Sequence, residues 1–249
     1  MNLNKEFTMN RVLENKEVST GIYKIKVSGK FKAKPGQFYM IRCWEDEPVL
    51  SRPISVHNVG KNGDYIEFLY AVVGKGTELI SKLNQGDEIK TMGPLGNGFN
   101  VEEVKGKKIA IVAGGIGIAP MKYLLSLLKE ESIDLYAGFK DLTYAIEDMK
   151  NSIKKIYVST EDGSCGHKGY ITEILDTNKY DLVLCCGPEV MMNKVVKMCK
   201  ETNTKVYISE EKKMACGIGA CLVCTCKTKQ GNKRTCKDGP VFCGDDIEI

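Results

Sequence analysis

Short runs that mix apolar and polar residues fill the first hundred positions of the chain. Gly21 to Val27, Gln37 to Cys43, Ile54 to Val59 and Tyr65 to Val73 are β-prone and separated by Gly, Pro, Asn and Asp turns. That spacing predicts an antiparallel barrel or sandwich, with the barrel as the expected form. From Lys107 the pattern changes. Buried runs at Ile109 to Ala113, Asp134 to Phe139, Ile156 to Ser159, Leu182 to Cys185 and Lys205 to Ser209 alternate with Met121 to Lys129, Tyr144 to Lys150, Ile171 to Asp176 and Val190 to Thr202. Alternation of strands with amphipathic helices predicts a doubly wound parallel α/β sheet. After Glu210 the chain is rich in Gly and Cys and loses apolar periodicity, so a metal is expected to shape it. The expected division is a barrel over 1–101, an α/β domain over 102–208 and a small cysteine domain over 209–249.

A chain of 249 residues with 43% apolar side chains can build two packed cores and a small appendage. Its 36 basic and 32 acidic residues leave +4, with no long block of one sign. No nucleic-acid or membrane partner is implied. Met1 to Asn10 lacks the apolar core of a signal peptide, and glycines 114, 115 and 117 interrupt the longest apolar stretch, so a cytoplasmic protein is expected. In that reducing compartment, eleven cysteines point to metal binding before disulfides.

Three segments carry nucleotide-type chemistry. Arg52-Pro53-Ile54-Ser55 opens a β-prone run; its guanidinium can grip a phosphate, and its serine can bond a flavin ring, although a plain Arg-Pro turn has the same sequence. Leu69-Tyr70-Ala71 leads into Gly74-Lys75-Gly76-Thr77 and a helical run from Glu78 to Leu83. Gly74 and Gly76 let backbone N–H groups approach a pyrophosphate at a helix start, with Thr77 as cap and hydroxyl donor, and Tyr70 is either a stacking partner or a core tyrosine. Gly114-Gly115-Ile116-Gly117-Ile118-Ala119-Pro120 joins a buried strand to a helix, with Pro120 expected at the first helical position. Cys186-Gly187-Pro188 ends another strand of the same sheet and would face the same crevice, where Cys186 could touch a nicotinamide ring. His57 and His167 show no metal spacing and read as turn or surface residues. No acid–base constellation for a metabolite is evident.

Cys216, Cys221 and Cys224, followed by Cys236, have the C-x4-C-x2-C spacing of plant-type 2Fe–2S ligands. Structural zinc prefers paired C-x2-C knuckles, and this set has one. Gly217 and Gly219 leave backbone N–H groups to bond the sulfurs, while Cys226 and Cys243 read as spare thiols.

Taken in order, these motifs resemble the ferredoxin-reductase superfamily. Met214 to Cys221 and Cys236 to Phe242 narrow the resemblance to the electron transfer subunits of class 1B dihydroorotate dehydrogenases, across essentially the whole chain. The resemblance implies FAD on the barrel at Arg52 to Ser55, Leu69 to Ala71, Gly76 and Thr77. It implies NAD on the α/β domain, and a 2Fe–2S cluster on Cys216, Cys221, Cys224 and Cys236. It further implies an FMN-bearing catalytic partner, two copies of each chain forming a heterotetramer. Ser159-Thr160-Glu161-Asp162 is acidic at a strand end, which favours NAD over NADP. The alternatives are a reductase subunit serving ferredoxin, sulfur compounds or hydrogenase, and a zinc-stabilised binding module.

Overall fold

The computed structural model describes residues 6–128 and 132–248. Six antiparallel strands close a barrel: β1 (Thr8–Ser19), β2 (Ile22–Ser28), β3 (Phe38–Arg42), β4 (Arg52–Val59), β5 (Tyr65–Ala71) and β6 (Glu88–Leu95), in the order β1-β2-β5-β4-β3-β6. Alternate side chains of these strands, including Val12, Ile25, Val27, Ile41, Val56, Ile66, Phe68 and Ile89, point inward and fill the interior. β1 and β6 were not among the strands expected from the sequence. Both carry many charged or polar outward positions, which hide a strand when one face is solvated. Helix α1 (Lys75–Ser81) follows β5 and begins three residues before the expected run.

A second sheet holds β7 (Lys108–Gly114), β8 (Ser132–Phe139), β9 (Lys155–Thr160), β10 (His167–Lys168), β11 (Leu182–Cys186) and β12 (Lys205–Ser209), all parallel. The short α2 (Val101–Val104) precedes it, and α3 (Met121–Leu127) and α4 (Glu189–Glu201) pack on it. Two expected helices fail to form. Tyr144 to Lys150 yields only a 3-10 turn over Glu147–Ser152, and Ile171 to Asp176 only one over Ile171–Glu173. Ala145 has a left-handed backbone, φ 62°, which interrupts the first window, and Asp176 in the second turns away to accept from the Asn178 N–H as the cap of the next turn. Lys129, the expected end of the Met121 helix, and Met1 to Lys5 of the N-terminal reading lie outside the described residues.

The C-terminal segment forms a hairpin, β13 (Thr225–Thr228) with β14 (Gly231–Arg234), and then β15 (Val241–Cys243). β15 pairs antiparallel with β12, adding a seventh strand to the parallel sheet. The cysteine region also has a core, shared with the barrel: Cys224 and Cys236 pack with Phe38, Met40, Met92 and Leu95, flanked by Met214 and Ile218. Among the described residues no helix is long and apolar enough to cross a membrane.

Candidate functional site

β4 and β5 are hydrogen-bonded neighbours, so the two barrel motifs lie side by side. Arg52, Pro53, Ile54, Ser55, Leu69, Tyr70, Ala71 and Thr77 line one cavity of about 380 Å3, together with Phe38. Arg52 is held at its edge. Its Nη1 donates to the Leu50 carbonyl at 2.6 Å, and the guanidinium carbon lies 5.6 Å from the centre of the Trp44 ring. Gly76 sits directly behind it, since a Cβ there would come within 2.4 Å of Arg52 Nε. Thr77 is buried and closes the loop from inside: its hydroxyl accepts from the N–H groups of Val73 and Gly74 and donates to the Gly74 carbonyl. The helix N-cap is therefore Gly74 and not Thr77. Tyr70 serves the core and the cavity together, with its hydroxyl donating to Asn15 Oδ1 at 3.3 Å.

The opposite wall comes from elsewhere in the chain. Ile116 and Ala119 enter from the glycine turn, Ser209 from the end of β12, and Glu210, Glu211, Lys212 and Met214 from the segment after it. Sequence reasoning missed Ser209 to Lys212 as lining residues, because no motif marks them and their place follows only from how β12 ends. Lys212 pairs with Glu189 at 2.8 Å and lies 3.6 Å from Glu210. Burial raises the carboxyl pKa values of Glu210 and Glu211, with Glu189 adding to the first and Glu210 to the second.

At the C-terminal ends of the parallel strands, where open α/β sheets bind ligands, a groove of about 620 Å3 is lined by Gly114, Gly115, Gly138, Ser159, Glu161 and Pro188. Lys140 and Lys194 also line it, two cations suited to a pyrophosphate that the sequence reading did not single out. A smaller cavity of about 290 Å3 lies between Gly114–Gly117 and Gly187–Glu189. Gly117 allows these loops to touch, since a Cβ there would lie 2.3 Å from the Cys186 carbonyl oxygen. Cys186 itself is buried and lines none of these cavities, and burial pushes its thiol pKa well up. Pro120 is buried as the N-cap of α3, one residue before the expected position, and is not in the lining either. His57, read as a turn or surface residue, is fully buried; His167 bonds Glu173 at 2.8 Å.

The cysteine loop is folded around sulfur. Positive φ values at Gly217 and Gly219 turn the backbone so that the N–H groups of Ile218, Ala220 and Cys221 reach Cys216 Sγ at 3.3 to 3.5 Å. Burial works to raise the Cys216 pKa, but these donors and the Cys221 thiol outweigh it and hold the group at about 6. The Cys236 N–H donates to Cys224 Sγ at 3.4 Å. Cys224 and Cys236 are buried, whereas Cys221 is exposed. Among the described residues no three His, Cys, Asp or Glu side chains are grouped as a metal-ion site. The donor set is instead four thiols with N–H groups aimed at sulfur, which fits a cluster whose sulfides and thiolates accept such bonds. Arg234 and Asp238 clasp the base of this loop, with Arg234 N–H and Nε both donating to Asp238 Oδ2.

A six-stranded barrel with a phosphate-type arginine, set against a parallel α/β sheet and joined to a four-cysteine loop, defines a flavin- and iron–sulfur-linked reductase. Residues 211–248 match the iron–sulfur cluster binding domain of dihydroorotate dehydrogenase B. The chain is 57% identical over 245 residues to a "Dihydroorotate dehydrogenase B (NAD(+)), electron transfer subunit" of Clostridium acetobutylicum, covering 98% of each chain. It is 51% identical to the protein of the same name from Clostridium perfringens, covering 98% of this chain and 99% of that one. A solved NADH-dependent reduced ferredoxin-NADP oxidoreductase superposes with a TM-score of 0.84 at 26% identity, covering 97% of this chain and 90% of the other. The chain belongs to the family of dihydroorotate dehydrogenase B electron transfer subunits.

Proposed function

We infer that this chain carries electrons from a dihydroorotate-oxidising partner to NAD+, using a 2Fe–2S cluster and FAD of its own. The observation that carries this reading is a shared wall. Phe38 packs against Cys224 and Cys236 on one side and lines the flavin-type cavity on the other, and Met214 does the same. Electrons can thus pass between the cysteine loop and the barrel cavity through a dry, close-packed contact.

A cluster exchanges single electrons, a nicotinamide takes up hydride and a flavin can do both, which is what the combination would supply when bound. The residues of this chain bind and orient. Arg52 would hold a phosphate of FAD, with Thr77 fixing the loop beside it, while Ser55 and Tyr70 face the ring. Gly114, Gly115, Gly117, Gly187 and Pro188 would let the dinucleotide approach the strand ends, with Glu161 disfavouring a 2'-phosphate. Cys216, Cys221, Cys224 and Cys236 would hold the iron. On this reading the barrel over 1–101 serves FAD, 102–208 serves NAD and 209–249 serves the cluster. The metabolite chemistry belongs to the partner, an FMN-bearing chain, with two copies of each in the assembly.

The test is dihydroorotate-dependent NAD+ reduction by tagged protein purified without oxygen from its native cells. Activity that depends on a co-purifying flavoprotein is expected. A brown, flavin-containing complex that reduces NAD+ only with another donor would overturn the assignment of the partner.

A further inference from the structure

Two of the cavities described above meet, and two residues line both: Ile116 and Glu211. One is the flavin-type cavity on the barrel; the other lies between the glycine turn and the Cys186-Gly187-Pro188 loop. A nicotinamide ring that reaches a flavin from the α/β side must therefore come to this junction. Of the two shared residues only Glu211 carries charge.

Its charge is not cancelled from within the protein. Among the described residues Glu211 has no cationic partner, because the nearby Lys212 is taken by Glu189 at 2.8 Å and by Glu210 at 3.6 Å. Glu210, the adjacent residue, is buried, and although its Oε2 lies 3.6 Å from Lys212 Nζ, its carboxyl adds like charge at Glu211. The Cys186 thiol, on the facing strand end, feels the Glu211 carboxylate as well. Arg52 lines the far wall of the flavin-type cavity. Glu211 is open to the cleft by its accessible surface, yet it is crowded enough by surrounding protein for burial to raise its pKa. These two facts agree if its exposed face looks into the cavity and not into bulk water.

We propose that Glu211 is a specificity-determining residue that makes this junction prefer the oxidised dinucleotide to the reduced one. The nicotinamide ring of NAD+ carries a formal positive charge, and that of NADH carries none, while the rest of the molecule is the same. A carboxylate at the junction attracts the first ring and is indifferent to the charge of the second. A cation arriving there also relieves the repulsion between Glu210 and Glu211 and favours their ionised forms. The residue thereby draws in the substrate of NAD+ reduction and lets the product go.

This inference rests on the proposed function, and its test separates the two. NAD+ and the neutral, non-reducing 1,4,5,6-tetrahydro-NAD are titrated into the oxidised complex, with binding read from the perturbation of flavin absorbance. The wild type should bind NAD+ several-fold more tightly than the tetrahydro compound. Glu211→Gln should weaken NAD+ by about tenfold while moving the neutral compound less than about twofold, as expected for one charge pair in a partly screened cleft. Glu211→Asp, which keeps the charge, should retain the preference. Equal weakening of both ligands in Glu211→Gln, or a wild-type ratio near one, overturns the inference even if no variant retains flavin. A wild-type complex that lacks flavin or binds neither dinucleotide sinks the proposed function instead.

Discussion

His57 Nδ1 lies 2.6 Å from the carbonyl oxygen of Ala119, inside the seam between the barrel and the α/β domain. A carbonyl can only accept, so Nδ1 carries the proton and donates it, which fixes the neutral tautomer. His57 lies two residues beyond Ser55 on β4, and Ala119 ends the glycine turn, so this bond ties the flavin-type strand to the dinucleotide-type loop. Around it Lys122 pairs with Glu67 at 3.1 Å, Lys24 with Asp148 at 3.0 Å, and the Tyr123 hydroxyl donates to the Ala33 carbonyl.

Burial, with the charge of Lys122 adding to it, lowers the His57 pKa from 6.5 to about 4. Below pH 6.5 the unfolded chain takes up a proton that the folded site refuses. Stability that is complete above that pH should drain away as the pH falls towards 4, by on the order of 3 kcal/mol. His57→Leu should cost about 2 kcal/mol at neutral pH by stranding the Ala119 carbonyl, and should remove this part of the acid sensitivity. Denaturant titrations of both proteins between pH 4 and pH 7 check the two effects together; parallel pH profiles would contradict the assignment.

Gly76→Ala places a methyl group against Arg52 Nε, where only 2.4 Å is available. The guanidinium must swing from its place beside Trp44, and FAD should bind about tenfold more weakly, the loss of roughly one charge-assisted hydrogen bond. FAD release followed by fluorescence measures this directly. Gly76 has no left-handed backbone angle, so strain in α1 would not confuse the result.

Gly117→Ala is a harsher change, because the added Cβ meets the backbone of Cys186 and Gly187 and no flexible side chain can yield. The glycine turn and the Gly187 loop must part, at a cost of about 1–3 kcal/mol. A lowered melting temperature should accompany loss of the NAD+-induced change in the flavin spectrum. Retention of both would show that the loops separate freely.

Cys221→Ser and Cys226→Ser test which of the two thiols holds iron. Cys226 is buried on β13, and burial raises its thiol pKa, which suits an inert packing residue. Cys221→Ser should lose iron and at least about a hundredfold of dihydroorotate-dependent activity, in line with the loss of a cluster ligand. Cys226→Ser should keep its iron. The reverse outcome, read by iron content and visible absorbance, would move that thiolate from Cys221 to Cys226.

The parts of the molecule that announce themselves in sequence are those whose chemistry is local. The barrel runs at Gln37 to Cys43 and Ile54 to Val59, the glycine turn and the C-x4-C-x2-C spacing each depend on neighbours within a dozen residues. What was not legible arises from contacts between distant segments. Glu211 acquires its position from the end of β12, and β15 finds its partner only after the cysteine loop has turned back. His57 looks like a turn residue until α3 is laid over β4. Tyr144 to Lys150 has helical periodicity that the left-handed backbone of Ala145 interrupts, and Thr77 caps its loop from within because Gly74 takes the outer place.

The C-terminal segment is stitched to both larger bodies at once, through the β12–β15 ladder on one side and the packing of Cys224 and Cys236 on Phe38 and Met40 on the other. A hinge that opened the cleft between barrel and sheet would have to tear one of these seams. The cleft that a dinucleotide would enter is thus framed by three segments of the chain and not by two.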